Sequence, residues 1–413
     1  MIKPVTKHCP GWPSLILAAA SIAITAAKAD VVCDWNTRAG EIVVAARMGP
    51  PPANRAMAIV HTAVYEAVNA ITRRYPAGTL KLEAAPGASV DAAVAAASRT
   101  ALAKLLPSQQ GAIDAAYQAA LAKVADGSAK TAGIALGEQA AAAVLAARAD
   151  DGAAAAEAYR PVTAAGVYVP TMIPAATHWP QRRPWLMSGP AQFRPGPPPA
   201  LTSALWARDY NEIRAVGGKS SPRRTAEQSQ MATFWEATLP PIYDGIVLSV
   251  AEAPGREVTQ NARLFAAVAQ AADDALLAVF DAKYHYNFWR PVTAIRNGDL
   301  DGNDATERDA SWTPFIDTPM HPEYPCAHCT VAAAVGTVLQ AEMGAGAMPT
   351  LSTTSYLVKG PARQWTRIDD FVQEVANARV YDGVHFRNST EVGTAMGRQV
   401  GTLAAARFLR RPD

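Results

Sequence analysis

The residues best suited to chemistry lie in three basic clusters in the last third of the chain: KYHYNFWRP at 283–291, PCAH at 325–328 and ARVYDGVHFRNS at 378–389. Between them they supply Lys283, Arg290, Arg379, His328 and His385. Arginine and lysine neutralise the oxygens of a tetrahedral oxyanion, and histidine can ligate, attack or protonate it. No carboxylate pair, Ser-His-Asp set or glycine-rich loop elsewhere in the sequence rivals this combination.

The elements that must position these groups read as helices. Lys283 and Arg290 are seven residues apart, two helical turns, which predicts a shared helix face. Pro291 disfavours helix at Arg290, so the segment is expected to end there. His328 precedes the apolar run TVAAAVGTVL at 330–339, which places it at a helix N-terminus, where free N–H groups favour an anion. Arg379 and His385 are six apart, on different faces of a continuous helix; Gly383 between them can break it and turn both inward.

Taken singly, a Lys–Arg pair is most often a solvated helix face and a lone histidine a satisfied core or surface residue. Three such clusters in this order are harder to obtain by accident. They resemble the signature of the vanadium-dependent haloperoxidase and type 2 phosphatidic acid phosphatase superfamily. Lys283, six residues, then Arg290-Pro291 match its first part; Pro325-Cys326-Ala327-His328 matches its Pro-Ser-Gly-His part; Ala378-Arg379, five residues, His385, three residues, Ser389 matches its last. The motifs span about a quarter of the chain. The regions 54–78 and 179–235 also resemble bacterial haloperoxidase-like members.

The resemblance implies an all-α fold of helical bundles, vanadium chloroperoxidase-like, and a role for each matching residue. Lys283, Arg290 and Arg379 would hold the oxygens of vanadate or phosphate, with the backbone around Cys326 and Ala327 donating further hydrogen bonds. His328 would be the acid–base residue. His385 would be the vanadium ligand of a haloperoxidase, or the nucleophile of a phosphatase. His321, seven residues before His328, resembles a position that is Phe in fungal chloroperoxidases and His in algal bromoperoxidases, which favours bromide or iodide over chloride. A polar histidine in a loop before a helix is the plainer reading of the same residue.

Three departures matter. Cys326 replaces a serine hydroxyl with a weak thiol donor. Ala327 replaces glycine where the backbone approaches the anion. Ser389 replaces the aspartate expected to orient the distal histidine, which weakens His385 as a nucleophile more than as a ligand. Asp382 and Glu391, near in sequence, are the candidates to substitute for it. The CAHC run at 326–329 is also the layout of a thiol–disulfide oxidoreductase, but the βαβ context for that is missing. A structural disulfide between Cys326 and Cys329 is left open; with it, residue 326 has no hydrogen to donate.

The N-terminus carries Lys3 and Lys7, the apolar run SLILAAASIAITAA at 14–27 and a small-x-small site at Ala27-Lys28-Ala29. This reads as a signal peptide over 1–29, cut near Ala29, and predicts a periplasmic or secreted protein. No other run is long and apolar enough for an integral membrane span. The whole chain is +2; without the three lysines of 1–29 it has 35 basic and 36 acidic residues, net −1, which gives no sign of nucleic-acid binding. Removal of Cys9 with the leader leaves Cys33, Cys326 and Cys329, too few for a disulfide scaffold.

Ala-rich segments at 90–105, 109–125, 130–149, 262–282 and 329–345 predict bundle helices. The mature chain divides into an N-terminal helical region, 30–200, and a C-terminal catalytic region, 201–413. Between Pro161 and Pro199 prolines forbid long helix, and Trp179 and Trp185 among them predict a packed, wrapping loop. The acidic stretch 297–309 reads as a solvated loop that fails the EF-hand spacing. The expected reaction is oxidation of halide by hydrogen peroxide at a His-bound vanadate. The alternatives are an acid phosphatase acting on a phosphate ester and a non-catalytic oxyanion-binding protein. The sequence does not set the oligomeric state, and a homo-oligomer is left open.

Overall fold

The structure, a computed structural model, describes residues 30–76, 78 and 80–409. The expected leader and its cut after Ala29 lie outside the described residues. The fold is all-α, as the resemblance implies. Its helices are α1 (Val31–Ala45), α2 (Pro50–Thr72), α3 (Val90–Leu105), α4 (Gln110–Leu121), α5 (Ser128–Ala147), α6 (Ala204–Val216), α7 (Ala226–Phe234), α8 (Pro241–Ala251), α9 (Val258–Tyr286), α10 (Pro291–Arg296), α11 (Ala327–Met343), α12 (Ile368–Tyr381) and α13 (Arg387–Phe408). Between α11 and α12 lies a short antiparallel pair, β1 (Leu351–Thr353) and β2 (Arg363–Trp365), with Ser352 opposite Gln364.

The helices start where the sequence supplies caps. Asp30 accepts from the N–H groups of Val32 and Cys33 at 3.0 Å, Ser203 caps α6, and Thr225 with Gln228 forms a capping box on α7. Proline in the first turn opens α2, α8 and α10, where its missing N–H costs nothing. The Ala-rich segments become α3, α4, α5, α9 and α11.

The 29-residue α9 is the central pillar, buried from Thr259 to Lys283 and packed against α2, α11 and α13. One apolar cluster runs from Val32 to Ala404, so the regions on either side of residue 200 share a core. Small residues bring α13 against α11: a Cβ at Gly393 or Gly397 would run into the Cys326 and Thr330 carbonyl oxygens. Gly397→Ala should therefore cost about 1–3 kcal/mol by overpacking. Gly111→Ala in α4 has open space and should gain about 0.5–1 kcal/mol from helix propensity. Urea unfolding of both variants checks the opposite signs.

The Pro-rich stretch is ordered and strapped to α9. Arg182, with no exposed side-chain surface, donates to both oxygens of Asp273 at 2.8 and 2.9 Å. Asp274 accepts from the N–H groups of Trp185, Leu186 and Met187 at 2.7, 2.8 and 3.1 Å. The 297–309 loop is anchored too, contrary to a purely solvated reading. Asp301 is buried and accepts from Trp206 Nε1 at 2.8 Å and Thr306 Oγ1 at 2.7 Å.

Candidate functional site

The chain brings the three clusters together around the loop 321–325. α9 stops at Tyr286, where Asn287 takes a left-handed conformation (φ 49°). Arg290 is extended (φ −81°, ψ 156°), and Pro291 opens the next helix. Lys283 and Arg290 therefore do not share a helix face: the helix ends a turn earlier than the spacing predicted, and Pro291 starts an element instead of stopping one. They still converge. Lys283 is buried and its Nζ donates to the carbonyls of Pro322 and Glu323 at 2.9 and 2.8 Å. Arg290 donates from Nε to the His321 carbonyl at 2.8 Å, from Nη2 to His321 Nδ1 at 2.9 Å and from Nη1 to the Val384 carbonyl at 2.9 Å.

The second cluster forms the start of α11, with Cys326 as its N-cap and His328 in the first turn. Cys326 and Cys329 are disulfide-bonded. The Cys326 N–H donates to the Ser389 carbonyl at 3.1 Å. Cys326 thus has neither a side-chain hydrogen nor a free amide to offer an anion, which removes it from the expected binding set. Ala327 and His328 occupy the first helical positions, whose N–H groups have no partner within the helix. In the third cluster α12 ends at Tyr381. Gly383 takes φ 79° in a spot where a Cβ would overlap the Gly217 carbonyl, and it turns His385 back toward Arg290. The break expected at Gly383 is present.

His321, His328, Arg379 and His385 line one end of a cavity of about 100 Å³. Its remaining walls include Pro50, Pro51, Leu276, Phe280 and Val331, all apolar. Lys283 and Arg290 stand behind the polar end and reach it through the 321–325 loop and His385.

The histidine tautomers follow from their partners. Arg290 Nη1, which can only donate, lies 3.3 Å from His385 Nε2. Glu323 Oε1 lies 2.8 Å from His385 Nδ1 and also accepts the Phe386 N–H at 3.0 Å. The proton therefore sits on Nδ1, and the unprotonated Nε2 faces Arg290 as an acceptor. His328 Nε2 donates to the Ala237 carbonyl at 3.2 Å, which leaves Nδ1 as its accepting atom.

Electrostatics reinforce this arrangement. Burial, with nearby cations, holds His328, His385 and His321 well below the usual histidine range, so all three are neutral. Burial and the Arg290 charge pull Lys283 well down, and burial lowers Arg290 to about 10. Burial pushes Glu323 up to about 7, against the pull of Lys283 and Arg290. Asp382, also raised to about 7 by burial, pairs with Arg379 at 2.6 Å.

Asp382 is thereby committed to Arg379 and does not substitute for the aspartate missing at 389. Neither does Glu391, which is exposed and 3.6 Å from Arg208. Glu323 makes that contact instead. It sits inside HPEYPCAH, beside the residues singled out, and its place between His321 and Cys326 was the available signal.

The donor set fits a tetrahedral oxyanion. Arg379 Nε is buried without a partner, Lys283 keeps a third N–H, the first-turn amides of α11 are free of helical bonds, and His385 offers one lone pair. Three cations around one cavity repel a bare metal ion, and among the described residues no cluster of three or more His, Cys, Asp or Glu forms a cation cage. No described helix is long and apolar enough to cross a membrane.

Comparison with known proteins agrees with this fold. Residues 263–412 match the family model of the VCPO second helical-bundle domain, which contains all three clusters. No curated protein matches the chain. Among solved structures, a bacterial vanadium-dependent iodoperoxidase superposes with a TM-score of 0.80 at 24% identity, over 92% of this chain and 96% of that one. A bacterial vanadium-dependent chloroperoxidase in its holo form gives 0.72 at 18% identity, over 88% and 93%. Its apo form gives 0.73 at 18%, over 88% and 95%. The resemblance to the vanadium haloperoxidase superfamily drawn from the motifs holds in the family model and in the fold.

Proposed function

We propose that the chain is a vanadium-dependent haloperoxidase that oxidises bromide or iodide with hydrogen peroxide. The observation that carries this is the unprotonated Nε2 of His385, set by the Glu323 contact at Nδ1, at a cavity lined by Arg379 with Arg290 and Lys283 behind it. Vanadate would be held by His385, Arg290, Arg379, Lys283 and the amides of Ala327 and His328. Bound there, it would supply a Lewis acid that activates peroxide without changing its own oxidation state.

The rest is the work of the protein. Arg290 and Arg379 offset the anion's charge in a site where burial strengthens each contact. The reaction H2O2 + Br− + H+ → HOBr + H2O takes up one proton, and His328 can hold and release it at Nδ1, the atom left free by the Ala237 contact. His321 is fixed by Arg290 at the cavity wall and is the residue placed to influence halide choice. Apolar walls favour small or uncharged reactants over the polar groups of a phosphate ester. Export through a signal peptide over 1–29 belongs to this proposal; the Cys326–Cys329 disulfide supports an oxidising compartment.

One observation favours a second reading, an acid phosphatase with a phosphohistidine intermediate. A carboxylate behind the attacking imidazole is what a His nucleophile needs, and Glu323 supplies it even though Ser389 does not. The test is an assay of anion-stripped protein beginning at Asp30. Bromide oxidation by peroxide that requires added orthovanadate is the expected result. Aryl phosphate hydrolysis inhibited by vanadate, without bromination, would establish the phosphatase instead. Tight anion binding with neither activity would leave a binding protein.

A further inference from the structure

We propose that Glu323 is the positioning residue of His385, taking over from the loop before α11 the task that the superfamily signature gives to position 389. It deepens the oxyanion-site reading but stands on geometry independent of it.

Glu323 is fully buried and fixed at several points. Its N–H donates to the Phe288 carbonyl at 2.9 Å, and its own carbonyl accepts from Lys283 Nζ at 2.8 Å. The carboxylate oxygen Oε1 meets His385 Nδ1 at 2.8 Å and the Phe386 N–H at 3.0 Å, so the amide next to His385 helps aim it. Ser389 Oγ is 3.4 Å from the same Nδ1, too far to compete with a carboxylate. A carboxylate on Nδ1 locks the ring and makes Nε2 a more basic donor. Because the Glu323 backbone also receives Lys283, one residue fixes both the histidine and the lysine of the site.

The experiment compares wild type, Glu323→Ala, Glu323→Gln and Glu323→Ala/Ser389→Asp. Imidazole NMR on 15N-labelled protein follows the His385 Nδ1 proton, assigned by its loss in His385→Gln. Calorimetry measures orthovanadate and inorganic phosphate separately. The expected result is a downfield, slowly exchanging Nδ1 proton in wild type that disappears in Glu323→Ala, with anion affinity about 10–100-fold weaker. Glu323→Gln should lie between, because a neutral amide oxygen still accepts. Ser389→Asp should bring back the resonance and most of the affinity. A purely structural role would not be rescued from position 389.

Persistence of the Nδ1 resonance in Glu323→Ala would overturn the proposal. So would anion affinity within about 2-fold of wild type, well short of the loss such a partner's removal brings, or a folded double variant that recovers nothing. A wild type that shows the resonance but binds neither anion would uphold the positioning role and sink the oxyanion reading.

Discussion

His385→Ala should abolish vanadate-dependent halide oxidation, by about 10³-fold or more. Removing one donor to a developing charge typically costs 10²–10³-fold, and here the atom assigned as ligand goes. The loss should appear as loss of anion binding. Wild type offers one lone pair at Nε2, and Arg290, the neighbouring group, can only donate. His328→Ala should behave in the opposite way, keeping the anion and losing turnover, because His328 faces the cavity but its remaining nitrogen handles a proton. Calorimetric titration with orthovanadate beside a bromination assay separates the two. Anion affinity unchanged in His385→Ala would refute the assignment of the ligand. Unfolding does not explain the expected loss: Glu323 keeps its bond from the Phe386 N–H, which limits the stability cost to about 1–3 kcal/mol.

Why some of this was legible in sequence and some was not comes down to distance along the chain. The Arg379–His385 turn is local, and Gly383 alone, forced to φ 79° by the close Gly217 carbonyl, announces it. The α11 start is local as well. The Ala-rich helices show in propensity, and proline density with Trp179 and Trp185 shows an ordered loop. The Lys283–Arg290 spacing misled because a seven-residue interval fits a helix, while Asn287 in the left-handed region ends α9 between them. The two groups meet through the 321–325 loop, not through a common face. Glu323 reaches His385 across 62 residues, and no local pattern encodes that pairing. Attention to acids near position 389 led to Asp382 and Glu391, which serve Arg379 and Arg208. Neither Asp273 nor Asp274 of α9 stands out in the sequence, for a related reason: only the strap that covers them makes them core.

That strap sets the largest stability effect expected of any single change. Arg182→Ala should cost about 3–5 kcal/mol, the usual consequence of removing one member of a buried ion network. Arg182 has no exposed side-chain surface; it bridges Asp273 with two bonds and Asp151 at 3.2 Å, and stacks 4.5 Å from the Trp179 ring. Its loss leaves Asp273 with only the Trp185 indole N–H at 2.8 Å, and Asp151 with Arg55 at 2.8 Å and the Ala153 N–H at 3.1 Å. The cost comes from the stranded carboxylates more than from lost attraction. Arg182→Met with Asp273→Leu should therefore be milder than Arg182→Ala alone, because Asp273 is no longer stranded and the remaining carboxylate, Asp151, keeps Arg55. Denaturant unfolding of the two variants decides this, and a double variant as unstable as the single would refute it. Hydrogen exchange adds a spatial check: in Arg182→Ala the 161–199 segment should open before α9 does, since Asp274 and the single Trp185–Asp273 bond then tie Trp185, Leu186 and Met187 to the helix. Residual activity in the folded fraction should stay near wild type. Lys283 is held by the carbonyls of Pro322 and Glu323, and neither carbonyl bonds to Arg182, Asp273 or Asp151.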